Sequence, residues 1–63
     1  MTLSQRATIT AHYTPAIEAA ETRLADAIEE FNAGYGEDYP GAIEDLRRSV
    51  ADAREARAFA LAN

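Results

Sequence analysis

Sixty-three residues carrying eleven acids, six bases and a formal net charge of −5 make one domain at most, too small to enclose a deep catalytic cavity. With no cysteine the chain has neither disulfides nor thiolate metal sites, and the excess of acids argues against direct nucleic-acid binding, since phosphates need Lys and Arg to neutralise them. No apolar run approaches the length of a membrane span and no charged-then-apolar leader precedes a cleavage site, so the expectation is a soluble, cytoplasmic chain without a membrane contact.

Residues 1–13 admit two readings. Ala7-Thr8-Ile9-Thr10-Ala11-His12-Tyr13 alternates small or apolar residues with Thr and His, a β-branched pattern that suits a strand. Thr2-Leu3-Ser4-Gln5 instead matches a capping box, opening a short helix that stops before Pro15. A lone strand has no edge to pair with elsewhere in the chain, so a short N-terminal helix or irregular arm is favoured.

Thr14-Pro15 reads as a helix start, because threonine caps free amides and proline at the first helical position gives up no bond. From there Ile17, Ala20, Leu24, Ala27, Ile28 and Phe31 recur at steps of three and four, predicting a helix over 15–33 with one apolar stripe. Gly34 should end it, and the turn formers of 34–39, followed by Pro40-Gly41, predict a reversal.

A second helix over about 40–60, starting near Tyr39 or Pro40, repeats the stripe with Ile43, Leu46, Val50, Ala53 and Leu61. The spacings Glu44-Arg48-Asp52, Asp45-Arg48 and Glu44-Arg47 predict ion pairs along this helix, each worth about 0.2–0.5 kcal/mol. At 100° per residue Arg57 falls on the stripe and Phe59 nearly opposite it. Either the helix frays before Phe59, or this ring meets another chain. The fifteen alanines favour helix throughout. The expected fold is all-α: a single small domain, an antiparallel helical hairpin (15–33 and 40–60) with a 1–13 arm and a 34–39 loop, gaining burial by self-association.

Little in the chain points to chemistry. His12 is the single histidine and has no cysteine or serine constellation around it, so no nucleophile, base and orienter assemble. Glu37 and Asp38 sit beside glycines but lack the spacing of a calcium loop, and Gly34, Gly36 and Gly41 neither follow a strand nor come with a phosphate-loop lysine. No cofactor, metal or enzymatic activity is expected.

Charge is the informative feature. Between Asp26 and Asp45 lie seven acids (Asp26, Glu29, Glu30, Glu37, Asp38, Glu44, Asp45) and no base. Asp26, Glu29 and Glu30 face away from the apolar stripe and repel one another at steps of three and four. Glu29 and Glu30 also sit in the last turns of their helix, where the macrodipole disfavours anions. Local stability therefore does not account for them. With Tyr35, Glu37 and Asp38 they outline a negative surface suited to a basic site on another protein, with Tyr35 as an aromatic contact; Tyr39 falls on the apolar face of the second helix and is read as packing. A solubilising face is the competing reading.

In size, acidity and helix content the chain resembles the small phage-encoded anti-defence proteins, anti-CRISPRs and DNA mimics among them, although its Arg-rich C-terminal helix departs from a uniformly acidic mimic. The resemblance implies a non-enzymatic inhibitor or adaptor that blocks the nucleic-acid-binding site of a defence nuclease complex by steric or electrostatic means. The alternative is structural: two hairpins packing their stripes into a dimeric four-helix bundle, with Phe59 in the self-association surface.

Overall fold

The computed structural model describes residues 1–34 and 41–62 and contains two α-helices, α1 (Leu3–Asn32) and α2 (Ala42–Ala62), packed antiparallel. The capping box is formed as its sequence suggests. Thr2 Oγ1 accepts the Gln5 backbone N–H at 3.1 Å, and Gln5 Oε1 accepts the Thr2 N–H at 2.8 Å, so two of the amides left over at a helix start are satisfied reciprocally. Thr2→Ala is expected to cost about 0.5–1 kcal/mol, the low end of the range for caps because this end of α1 is exposed. The loss should appear as faster amide exchange in the first turn with the rest of α1 unchanged; unaltered protection there would count against the cap.

The helix thus opened does not stop before Pro15. The expected break between a short N-terminal helix or arm and a helix starting at Thr14-Pro15 is absent, and so is a strand over 7–13: α1 runs unbroken through Pro15 for 30 residues. Three features explain this. Ala11, whose carbonyl loses its usual donor at position 15, and Pro15 are both exposed, so water reaches the freed oxygen. The Thr14 hydroxyl donates back to Thr10 O at 2.7 Å, as Thr8 Oγ1 does to Ser4 O at 3.0 Å, so it is satisfied inside a continuing helix and does not cap a new one. Continuity also keeps Ile9 and Tyr13 half-buried in line with Ile17, a gain that no residue near the proline reveals on its own.

At the other end Gly34 terminates α1 as expected. It takes φ +82°, its N–H donates to Phe31 O at 3.1 Å, and the Ala33 N–H donates to Glu29 O at 2.9 Å. α2 begins at Ala42, because Gly41 at φ +87° is outside the helical region while its carbonyl already accepts the Asp45 N–H at 2.8 Å; Tyr39 and Pro40, the expected starts, lie outside the described residues. It continues to Ala62, so the helix does not fray before Phe59.

The helices meet along two rows. On α1 the row is Tyr13, Ile17, Ala20, Leu24 and Ala27; on α2 it is Leu46, Val50, Ala53, Arg57 and Ala60, all buried or half-buried. Steps of four and three alternate in both, the 3.5-residue period that holds one seam of a helix against a neighbour over several turns. Only Ile17 (4% exposed) and Val50 (5%) are buried hydrophobics among the described residues. Two cross-helix bonds set the register. Arg54 Nη2 meets Glu21 Oε1 at 3.2 Å, and Arg6 Nη1 donates to Leu61 O at 3.3 Å, bringing a cation to the otherwise base-free last turn of α2.

Because α2 has 21 residues against 30 in α1, the first turns of α1 project past its end, and Leu3 is 86% exposed. The result is a rod with principal extents of 48 × 16 × 10 Å and a radius of gyration of 14.7 Å. A compact chain of this length would have a radius of about 11 Å.

Candidate functional site

The hairpin end gathers acids from both helices. Asp26, Glu29 and Glu30 occupy the last two turns of α1, and Glu44 and Asp45 the first turn of α2. All five are exposed. Asp26, Glu29 and Glu30 together with Ala33 line a shallow, open hollow on the outer side of α1. Tyr35, Glu37 and Asp38, the other expected members of the surface, lie outside the described residues, as does Tyr39.

The acids differ in why they are there. Glu44 and Asp45 sit at a helix N-terminus, where the macrodipole and the free amides favour negative charge by about 0.3–1 kcal/mol each. Glu29 and Glu30 sit at a C-terminus, where the same field opposes them, and no base stands in the last turn of α1. The ion pairs expected along α2 from Glu44, Asp45, Arg47, Arg48 and Asp52 are not formed. Among the described residues one ion pair closes within 4 Å, between Arg54 and Glu21 of different helices. Spacing of three or four brings exposed side chains within reach, but the gain hardly exceeds the rotamer entropy of holding them together. Glu44 and Asp45 therefore add to the negative end, while Arg47 and Arg48, one turn further along α2, temper it.

At the opposite end charge is sparse. The first acid in the chain is Glu18, so the projecting turns of α1 carry Arg6 and His12 with no carboxylate. His12 is exposed and stands edge-on to Tyr13, with ring centroids 5.1 Å apart and an interplanar angle of 88°. The Thr8, Thr14 and Ser49 hydroxyls donate to the backbone carbonyls of Ser4, Thr10 and Asp45. No group of three or more His, Asp or Glu among the described residues is arranged to hold a metal ion, and no described helix is long and apolar enough to cross a membrane.

Two features escape a reading of local spacing. The Arg54–Glu21 pair spans 33 positions, and only the antiparallel register brings it together. A groove along one side of the seam, lined by Leu24, Ala25, Ile28, Val50 and Ala51 and rimmed by Arg47 and the Arg54–Glu21 pair, likewise combines residues from both helices. Phe59 lies 72% exposed while Arg57 is half-buried, the positions that the 100° wheel gives them.

The fold and its charged end define an all-α antiparallel helical hairpin, polar in the electrostatic sense, with its acids crowded at the turn. Comparison with protein-family models, curated proteins and solved structures yields no match to this chain.

Proposed function

We propose that this chain is a non-enzymatic protein-binding module that docks its acidic hairpin end on an arginine- or lysine-rich surface, and that by covering this surface it inhibits or recruits a nucleic-acid-handling partner. The observation that carries the reading is the position of Asp26, Glu29 and Glu30: exposed, without a base in contact, and close to a helix C-terminus that disfavours them. Charges that cost local stability are explained by a complementary field elsewhere. Such complementarity raises the association rate, so binding should weaken steeply with ionic strength. An anti-defence role of the anti-CRISPR or DNA-mimic kind is the specific form that the resemblance in size and acidity suggests.

Charge reversal tests this. Glu29→Arg with Glu30→Arg should leave helix content unchanged or slightly raised, since the repulsion and the dipole penalty both vanish, while partner binding falls about tenfold or more. The assay is capture from lysate of a native or phage-infected host, washed at low and then high salt. A basic nucleic-acid-handling protein that is retained by the parent chain, released by salt and lost with the double variant supports the docking. Loss of folding in the variant would make the acids structural and end the proposal.

A second reading, the self-associating bundle, is favoured by a different observation: two buried hydrophobic side chains among the described residues are few for a fold this size, and a second copy is one way to add burial. The two readings are compatible, because a dimer leaves its hairpin ends accessible.

A further inference from the structure

The hairpin exposes more surface than a chain of its mass needs to. A folded monomer of 6.8 kDa is expected to leave about 4,000 Å² accessible. This chain exposes 4817 Å². The surplus, on the order of 800 Å², is what one partner contributes to an interface of ordinary size. It arises because the rod is a single layer of two helices: the first turns of α1 project past α2, and among the described residues nothing packs on the sides of the seam.

From this surplus and the groove we infer that the groove lined by Leu24, Ala25, Ile28, Val50 and Ala51 is the interface of a homodimer, in which a second copy lies antiparallel on the same face. The inference rests on the self-association reading and is independent of acidic docking. Two properties select the occupant and its direction. The floor of the groove is aliphatic, while its rim holds Arg47 and an internally neutralised Arg54–Glu21 pair, so a matching hairpin covers apolar surface without burying a lone carboxylate. The acids at one end of the rod oppose a parallel arrangement, which would bring two such ends together. An antiparallel one sets the two acidic ends on opposite sides of the axis and so keeps them apart.

A two-fold interface uses the same patch on both copies, so the middle of the groove, where Ala25 and Ala51 lie, is near the axis. Both alanines are exposed in the single hairpin. Charging them leaves the seam intact and strikes the dimer. Phe59 is not among the groove residues and has no part in this interface.

Sedimentation equilibrium across micromolar to millimolar chain concentrations decides the matter. The parent chain should reach twice the 6.8 kDa monomer mass. Ala25→Glu and Ala51→Glu should each weaken the dimer at least tenfold at unchanged helix content, whereas Thr22→Glu, an exposed α1 position outside the groove lining, Phe59→Ser and the Glu29→Arg/Glu30→Arg pair should not. A parent chain that stays monomeric throughout overturns the inference, as does a dimer that tolerates both groove charges or that dissolves with Phe59→Ser. Because the chain lacks cysteine, Glu30→Cys reports direction cleanly: a disulfide linking two copies at this position would overturn the antiparallel arrangement, and no linkage is expected. Loss of partner capture by the charge-reversed acids with the dimer intact, or the converse, separates this surface from the docking end.

Discussion

Pro15→Ala is expected to raise the thermal midpoint by roughly 8–20 °C. Proline inside a helix is disfavoured relative to alanine by about 3 kcal/mol, since it removes a backbone N–H and its ring presses on the carbonyl four residues back. Part of this is returned through the unfolded state, where proline lowers chain entropy by about 0.4–1 kcal/mol. A net gain of about 2–2.5 kcal/mol remains, and in a domain of this size each kcal/mol moves the midpoint by about 4–8 °C. The new alanine amide would bond to Ala11 O, the acceptor left to solvent in the parent. Thermal melts followed by circular dichroism at 222 nm, at matched chain concentrations, make the comparison. An unchanged or lowered midpoint would mean that the stretch before Pro15 is not helical in solution and that Thr14-Pro15 starts the helix after all.

Val50→Asp should abolish the folded hairpin. Domains of this length have total stabilities of roughly 3–9 kcal/mol. Val50 is 5% exposed and lines the groove with the half-buried Leu24 of α1, so an aspartate there loses the aliphatic contact and must either draw the rim's Arg47 or Arg54 into the seam or take up a proton. Either course costs several kcal/mol. Ile17→Ala, at the other buried position, should lose about 2–5 kcal/mol through missing contacts and an unfilled space. In urea titrations the alanine variant should show a lowered midpoint with much of its helix retained in water, and the aspartate variant should be unfolded from the outset. Native helix content in Val50→Asp would show that the seam does not hold the two helices together.

These two substitutions probe different layers of information in the chain. The pairing of two helices through one stripe is legible from spacing, because Ile17, Leu24, Leu46, Val50 and Ala53 recur at the period of a helix and nothing else in the chain is long enough to compete. Gly34 was legible too: a glycine after the last apolar position supplies the positive φ that ends a helix. Arg57 inside the seam and Phe59 outside it follow from the same arithmetic.

The misread positions are those where a local rule met a longer-range contact. Thr14-Pro15 has the chemistry of a helix start, yet the half-burial of Ile9 and Tyr13 and the Arg6 contact to Leu61 O favour one continuous helix. Gly41 resembles an ordinary part of a turn-rich segment, but its own φ delays α2 to Ala42. Spacing of three and four suggested ion pairs along α2 that do not close, while the pair that does close joins residues 33 positions apart.

For the candidate site the division is similar. That Asp26, Glu29 and Glu30 share a polar face could be read from residue positions alone, since helical geometry relates neighbours three and four apart whatever they pack against. That Glu44 and Asp45 join them at one end follows from the expected hairpin, because all five flank its turn; that the other end projects without a carboxylate, and that a groove runs between Leu24 and Val50, required the packed register. Composition and period are properties of the chain, and they settled helix content, charge and stripe. Proximity between residues far apart in order is a property of packing, because it depends on how two stripes slide into register to bury Ile17 and Val50 together, and no single stretch of residues encodes it.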